Sequence, residues 1–163
     1  DKLVMPPLGD NSSSEGRIGF RTKSDTVAYF TDTVLDYTPV IPAAQAMINR
    51  IVEAQPRILG LRIYMAQTNG TTRVSASKDA TEIGKEGGEA ELKAIQDGTV
   101  SFGREKSAVD VTLPLHDRNG EYIAAVRVRL KSFWGETQDN AITRARMIVK
   151  QMQEQVLSAK DLL

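Results

Sequence analysis

Residues 111–126 read Val-Thr-Leu-Pro-Leu-His-Asp-Arg-Asn-Gly-Glu-Tyr-Ile-Ala-Ala-Val. Val109, Val111, Leu113 and Leu115 alternate with Asp110, Thr112, Pro114 and His116. Side chains on a strand point to opposite faces in turn, so this stretch is a strand with one apolar face. Asp117-Arg118-Asn119-Gly120 supplies a turn. Glu121 to Leu130 then returns, with Tyr122, Ala124, Val126, Val128 and Leu130 opposing Ile123, Ala125, Arg127 and Arg129. The pair is an antiparallel hairpin with one face towards a core.

Working outward towards the N-terminus, Thr99 to Gly103 reads as a third strand. Before it, residues 79–98 are rich in Gly, Glu and Lys. Gly87-Gly88 precedes a short helix, Glu89 to Ile95, which Gly98 can terminate. Further upstream, Ile58–Ala66 and Thr72–Ser77 flank Asn69-Gly70, a strong hairpin signal. Leu61, Ile63 and Met65 share one face of the first of these strands, with Arg62 and Tyr64 on the other. Pro42 suits the first turn of a helix. Ala44, Met47, Ile48, Ile51 and Val52 follow at helical spacing until Pro56 stops the run, so a helix is expected over 43–55.

Towards the C-terminus a helix is expected over 139–160. Ile142, Ala145, Val149, Met152, Val156, Ala159 and Leu163 recur in steps of three and four. That stripe can lie on its own domain or on a second copy of the chain. Trp134, between the last strand and this helix, reads as packing. Residues 1–17 have loop or tail composition, with Pro6, Pro7, Gly9 and Ser12-Ser13-Ser14. Residues 18–38 allow two readings: Thr26–Phe30 and Thr33–Leu35 are β-prone, yet Ser24-Asp25 could cap a helix. We therefore treat 1–38 as an N-terminal extension and 39–163 as the folded domain.

The chain has 163 residues, enough for one domain with a real core. Hydrophobic residues make up 40% and charged residues 26%, the balance of a globular protein. Twenty-one basic residues match 21 acidic ones, so the basic excess of a dedicated nucleic-acid binder is missing. There is no cysteine, which excludes thiol nucleophiles, thiolate metal sites and disulfides, and a single histidine excludes a multi-histidine metal site. No apolar run approaches the roughly 20 residues of a membrane helix. No Gly-x-Ser-x-Gly elbow is present. Gly84-Lys85-Glu86-Gly87-Gly88 lacks the Gly-Lys-Ser/Thr ending of a phosphate-binding loop. Nothing in the spacing names a catalytic set, a metal or a cofactor. The chain begins at Asp1, which fits a cleaved signal peptide or a trimmed start, and a periplasmic or secreted setting is expected.

The order of elements resembles an extracytoplasmic PAS-like sensor domain of the Cache family. Ile58 to Asn69-Gly70 is similar to that family's first hairpin, and Ala80-Thr81-Glu82-Ile83-Gly84-Lys85 to its "IGK" segment. Asp97-Gly98 resembles its turn before the third strand, and residues 111–126 its "PL-x-D-x-x-G" hairpin. The likeness spans residues 41–130. It implies an α+β fold with a five-stranded antiparallel sheet of order 2-1-5-4-3. The long helices would lie on one face, and the 79–98 crossover would cover a ligand on the other.

On that ligand face the resemblance implies a set of Arg62, Tyr64, Ser75, Phe102, Asp110, Thr112 and Arg127. A guanidinium clamps a carboxylate with two parallel hydrogen bonds, so the expected ligand is a small carboxylate or amino acid. Each residue also has an ordinary reading. Arg62 could be a surface arginine, Asp110 could pair with Arg127, and Phe102 could belong to the core. Arg127 and Arg129 share a face and need an anion or an acid between them. The expected function is non-catalytic extracytoplasmic small-molecule sensing or binding. The alternative is a ligand-free interaction protein that forms a homodimer through its C-terminal helix.

Overall fold

The computed structural model describes Val27 and residues 41–162. The readings made for the extension, and for Leu163, lie outside the described residues. The chain divides into Asp1–Thr38 and Pro39–Leu163, and every described element belongs to the second unit.

The fold is α+β. Strands β1 (Ile58–Ala66), β2 (Thr72–Ser77), β3 (Ser101–Arg104), β4 (Ala108–His116) and β5 (Tyr122–Lys131) form one sheet of order β2-β1-β5-β4-β3, antiparallel throughout. Helices α1 (Ala43–Ala54) and α3 (Gln138–Gln153) pack on one face. Their buried side chains, among them Met47, Ile48, Ile51, Ala145, Ile148 and Met152, meet Leu61, Ile63, Val111, Leu113, Val126 and Val128 of the sheet. Each of the larger side chains, from Val to Met, contributes about 1.5–3 kcal/mol when fully buried. Helix α2 (Glu89–Asp97) lies on the other face, where Ala94 packs with Tyr64, Val74 and Ala125. A 3-10 turn, Ala80–Glu82, precedes it.

Two glutamines pin the long helices to the sheet by imitating a neighbouring strand. The Gln45 amide donates to Ser77 O at 2.9 Å and accepts from Ser77 N at 3.0 Å. The Gln153 amide does the same for His116, accepting from its N–H at 3.0 Å and donating to its carbonyl. The outer edge of β2 is covered by the crossover: Val74 N donates to Lys85 O at 2.9 Å, and Gly84 N to Val74 O at 2.9 Å.

Two expectations are corrected here, and the stripe takes the first of its two readings. The C-terminal helix ends at Gln153 rather than 160. Beyond it, the Asp161 carboxylate accepts from the N–H groups of Leu157 and Ser158, each at 2.8 Å, and organises a separate 3-10 turn, Ala159–Leu162. The apolar stripe is spent inside the domain: Ala145, Val149, Met152 and Val156 are buried in the core, Leu162 joins them, and Ala159 is exposed. A homodimer through this helix would have to use another surface. Trp134 does not pack. It stands fully exposed on the turn between β5 and α3, where Gly135 takes a φ of +79°.

Candidate functional site

The register of the sheet sets up polar rows on the α2 face. Ser77, Arg62, Arg127, Thr112 and Ser101 are successive cross-strand partners across all five strands. The adjacent row runs Gly60, Arg129, Asp110 and Gly103. Strand alternation forces this: burying Leu61, Ile63, Val111, Val126 and Val128 under α1 and α3 turns the intervening residues to the opposite face.

Arg62, Tyr64, Asp110, Thr112 and Arg127 therefore share one face, but each is already engaged by the protein. The Arg62 guanidinium holds both oxygens of Glu82, which also accepts from the Ser77 hydroxyl at 2.9 Å. The hydrogen bond from Arg62 keeps the Glu82 carboxyl below the usual carboxylate range, and the same bond raises Arg62 further above its ordinary value. Arg127 pairs with Glu91, whose side chain is fully buried. Glu91 also accepts from Gly88 N at 2.8 Å and from the Thr112 hydroxyl at 3.2 Å. The Arg127 guanidinium lies 5.8 Å from the Tyr64 ring centroid. Burial pushes the Tyr64 phenol up from its ordinary value. Arg129 contacts Glu105 and lies 3.5 Å from Asp110. The two arginines of β5 are thus each supplied with an acid.

The expected concave site beneath α2 is in this way filled by the protein's own carboxylates. Arg62 is paired with Glu82 rather than with Asp110, and Asp110 with Arg129 rather than with Arg127. Two residues of the expected set do not join the others. Phe102 packs against the core on the long-helix side. Ser75 is the extra residue of a bulge between β1 and β2, and its hydroxyl donates to Ile63 O at 3.3 Å.

An open cleft of about 380 Å³ lies at the end of the rows, lined by Leu59, Gly60, Arg62, Lys78, Asp79 and Glu82, with Ala80 and Arg129. Gly60 lies in its floor, where a Cβ would make a tight 3.3 Å approach to that of Arg129. Lys78 is anchored by donating to Ile58 O at 2.7 Å. Among the described residues it forms no ion pair. Three cations and two carboxylates therefore face one small volume.

Sequence reasoning placed Arg129 on the face of Arg127 but missed Glu82 and Glu91 as members of it. Glu91 carried a signal: it lies three and four residues before Ala94 and Ile95, on the apolar side of α2, and three after Gly88, where a carboxylate caps a helix. Glu82 carried none, because its partner is 20 residues away. Among the described residues no cluster of acidic or imidazole side chains is arranged to hold a metal ion, and no helix is long and apolar enough to cross a membrane.

No family model matches the sequence, and no curated protein is similar to it. Its backbone does match solved structures. A GAF domain of nlh2 from A. aeolicus, solved in an inactive state, superposes with a TM-score of 0.53 at 12% identity, covering 73% of this chain and 85% of that one. A transcriptional regulator of the IclR family from Rhodococcus sp. superposes with a TM-score of 0.52 at 12% identity, covering 77% and 67%. These matches overturn the resemblance to the Cache family. The motifs behind that resemblance are turn signals, which any antiparallel hairpin of this length uses. The fold of the chain is GAF-like, as the superposition on the A. aeolicus domain shows.

Proposed function

We propose that residues 39–163 form a non-catalytic small-molecule sensing domain, with its ligand in the cleft at Lys78, Arg62 and Arg129. The observation that carries this reading is the cleft's charge balance. Arg62 is held by Glu82 and Arg129 by Glu105 and Asp110, which leaves Lys78, beside Asp79, as the cation without an acid in a cleft of about 380 Å³, and this suits a small carboxylate or a zwitterionic amino acid. The ligand carboxylate lies against Lys78, whose charge no side chain neutralises among the described residues, and against the outer edge of Arg129. An ammonium group, where present, faces Asp79. The fold supports the reading at the level of architecture, since a GAF domain and a transcriptional regulator of the IclR family share it. No hydroxyl, thiol or imidazole side chain lines the cleft, which suits holding a ligand better than nucleophilic attack on one.

A thermal-shift screen of the twenty amino acids and of small mono- and dicarboxylates tests it. A ligand that binds only the native state raises stability by about 2.7 kcal/mol at a hundred times its dissociation constant. The expected result is a saturable rise in Tm for one member of the set, lost in Lys78→Gln. No saturable rise, or an equal one in Lys78→Gln, overturns the proposal.

A further inference from the structure

A second cleft, sharing no residue with the first, lies where β4 outruns its neighbour. Pairing of β3 with β4 ends at Ser101 and Thr112, whereas β4 continues to His116. The last residues of β4 thus have β5 on one side and no strand on the other. Helix α3 crosses this bare end, and the Gln153 amide closes it on the backbone of His116. Between them is a cleft of about 560 Å³, within the range of small-molecule sites.

Its walls differ in character. Leu113, Val100 and Val149 provide an apolar floor, and Arg146 and Lys150 stand one helical turn apart on α3. Tyr122 closes one side, held over Gly98, whose φ of +75° and missing side chain leave room for the phenol. No carboxylate lines the cleft. Arg146 and Lys150 are exposed and, among the described residues, form no ion pair. Like charges four residues apart destabilise a helix slightly, and an anion bound between them relieves that repulsion.

We propose that this cleft binds a small organic anion with an apolar body, of the short aliphatic or aryl monocarboxylate class. The carboxylate bridges Arg146 and Lys150, and the body rests on Leu113, Val100 and Val149. The site is independent of the cleft at Lys78 and stands whether or not that one binds an amino acid.

The test is a titration of the ¹⁵N-labelled full chain with hexanoate and phenylacetate, with hexanamide as the uncharged control. Saturable shifts are expected at the amides of Val100, Leu113, Val149 and Lys150. Binding should weaken about tenfold in the Arg146→Glu/Lys150→Glu double variant and stay unchanged in Lys78→Gln. If the double variant does not fold, Lys150→Gln serves, with an expected loss of about threefold. The proposal is overturned if these amides do not shift, or if hexanamide binds as tightly as hexanoate. It is equally overturned if Lys78→Gln is the variant that loses binding, which would place the carboxylate in the other cleft.

Discussion

At the scale of single residues, Glu91 is the pivot of the α2 face. One side chain closes the N-terminus of α2, receives the Thr112 hydroxyl and neutralises Arg127, all without exposure to water. Removing one member of a buried pair leaves the other charge uncompensated. Glu91→Ala should therefore lower unfolding stability by about 3 kcal/mol, read as a shift in urea midpoint. Combining it with Arg127→Met should return part of that loss, because the stranded cation is then gone. Equal stability of the single and double variants would refute this account. Thr72 presents the opposite case. It is 1% exposed, and its hydroxyl finds no hydrogen-bond partner. Thr72→Val keeps the shape and removes the unpaired group, so stability should rise by about 1 kcal/mol. A loss of stability would show that the hydroxyl has a partner in solution.

At the scale of elements, the crossover is held against the sheet by close approach of backbone. Gly87 N donates to Thr72 O at 2.9 Å. A Cβ on Gly87 would collide with the Thr72 hydroxyl and come within 2.8 Å of the Tyr64 ring. Gly87→Ala should lift the 84–88 segment off β2 and cost about 1–3 kcal/mol, the range for overpacking. Hydrogen exchange should then quicken at Val74 and Gly87 and leave α3 protected; unchanged exchange there would sink the idea. On the other face, Val149 is 7% exposed and sits among core residues. Val149→Glu is thus expected to destabilise the monomeric fold itself, measurable by thermal melting, rather than only to change the state of assembly.

At the scale of the whole molecule, the balanced net charge hides paired charges on the sheet whose balance depends on pH. Glu82 titrates below the usual carboxylate range, chiefly because Arg62 donates to it and secondarily because Ser77 does. A carboxyl whose folded pKa is lowered adds stability that is complete above its unfolded pKa, near 4.3. That stability is lost as pH falls through the lower folded value. The domain should therefore lose this stability as the pH falls below about 4.3. Glu82→Gln should be less stable than wild type at pH 7 by about 1–3 kcal/mol and closer to it at pH 3. Urea unfolding at both values checks this, and a constant difference between the two proteins would contradict it.

The sequence by itself determined what periodicity and turn chemistry can specify. The alternation of Leu61, Ile63 and Met65 with Arg62 and Tyr64, and of Val109 to Leu115 with Asp110 and Thr112, specifies two strands and the face each residue takes. Asn69-Gly70 and Asn119-Gly120 close the hairpins, and Pro42 and Pro56 bracket α1. These are interactions between near neighbours in the chain, so they are legible in one dimension. Only the tertiary structure decided which charges meet. Arg62 finds Glu82, and Arg127 finds Glu91, across gaps of 20 and 36 positions that no local rule spans. It also decided which clefts stay open: the one expected beneath α2 is filled by the chain's own carboxylates, and the open ones lie at Lys78 and at the bare end of β4. The physical reason is common to both. Strand direction and alternation follow from the backbone, whereas ion pairing and empty space depend on how separate segments settle against one another once they are packed.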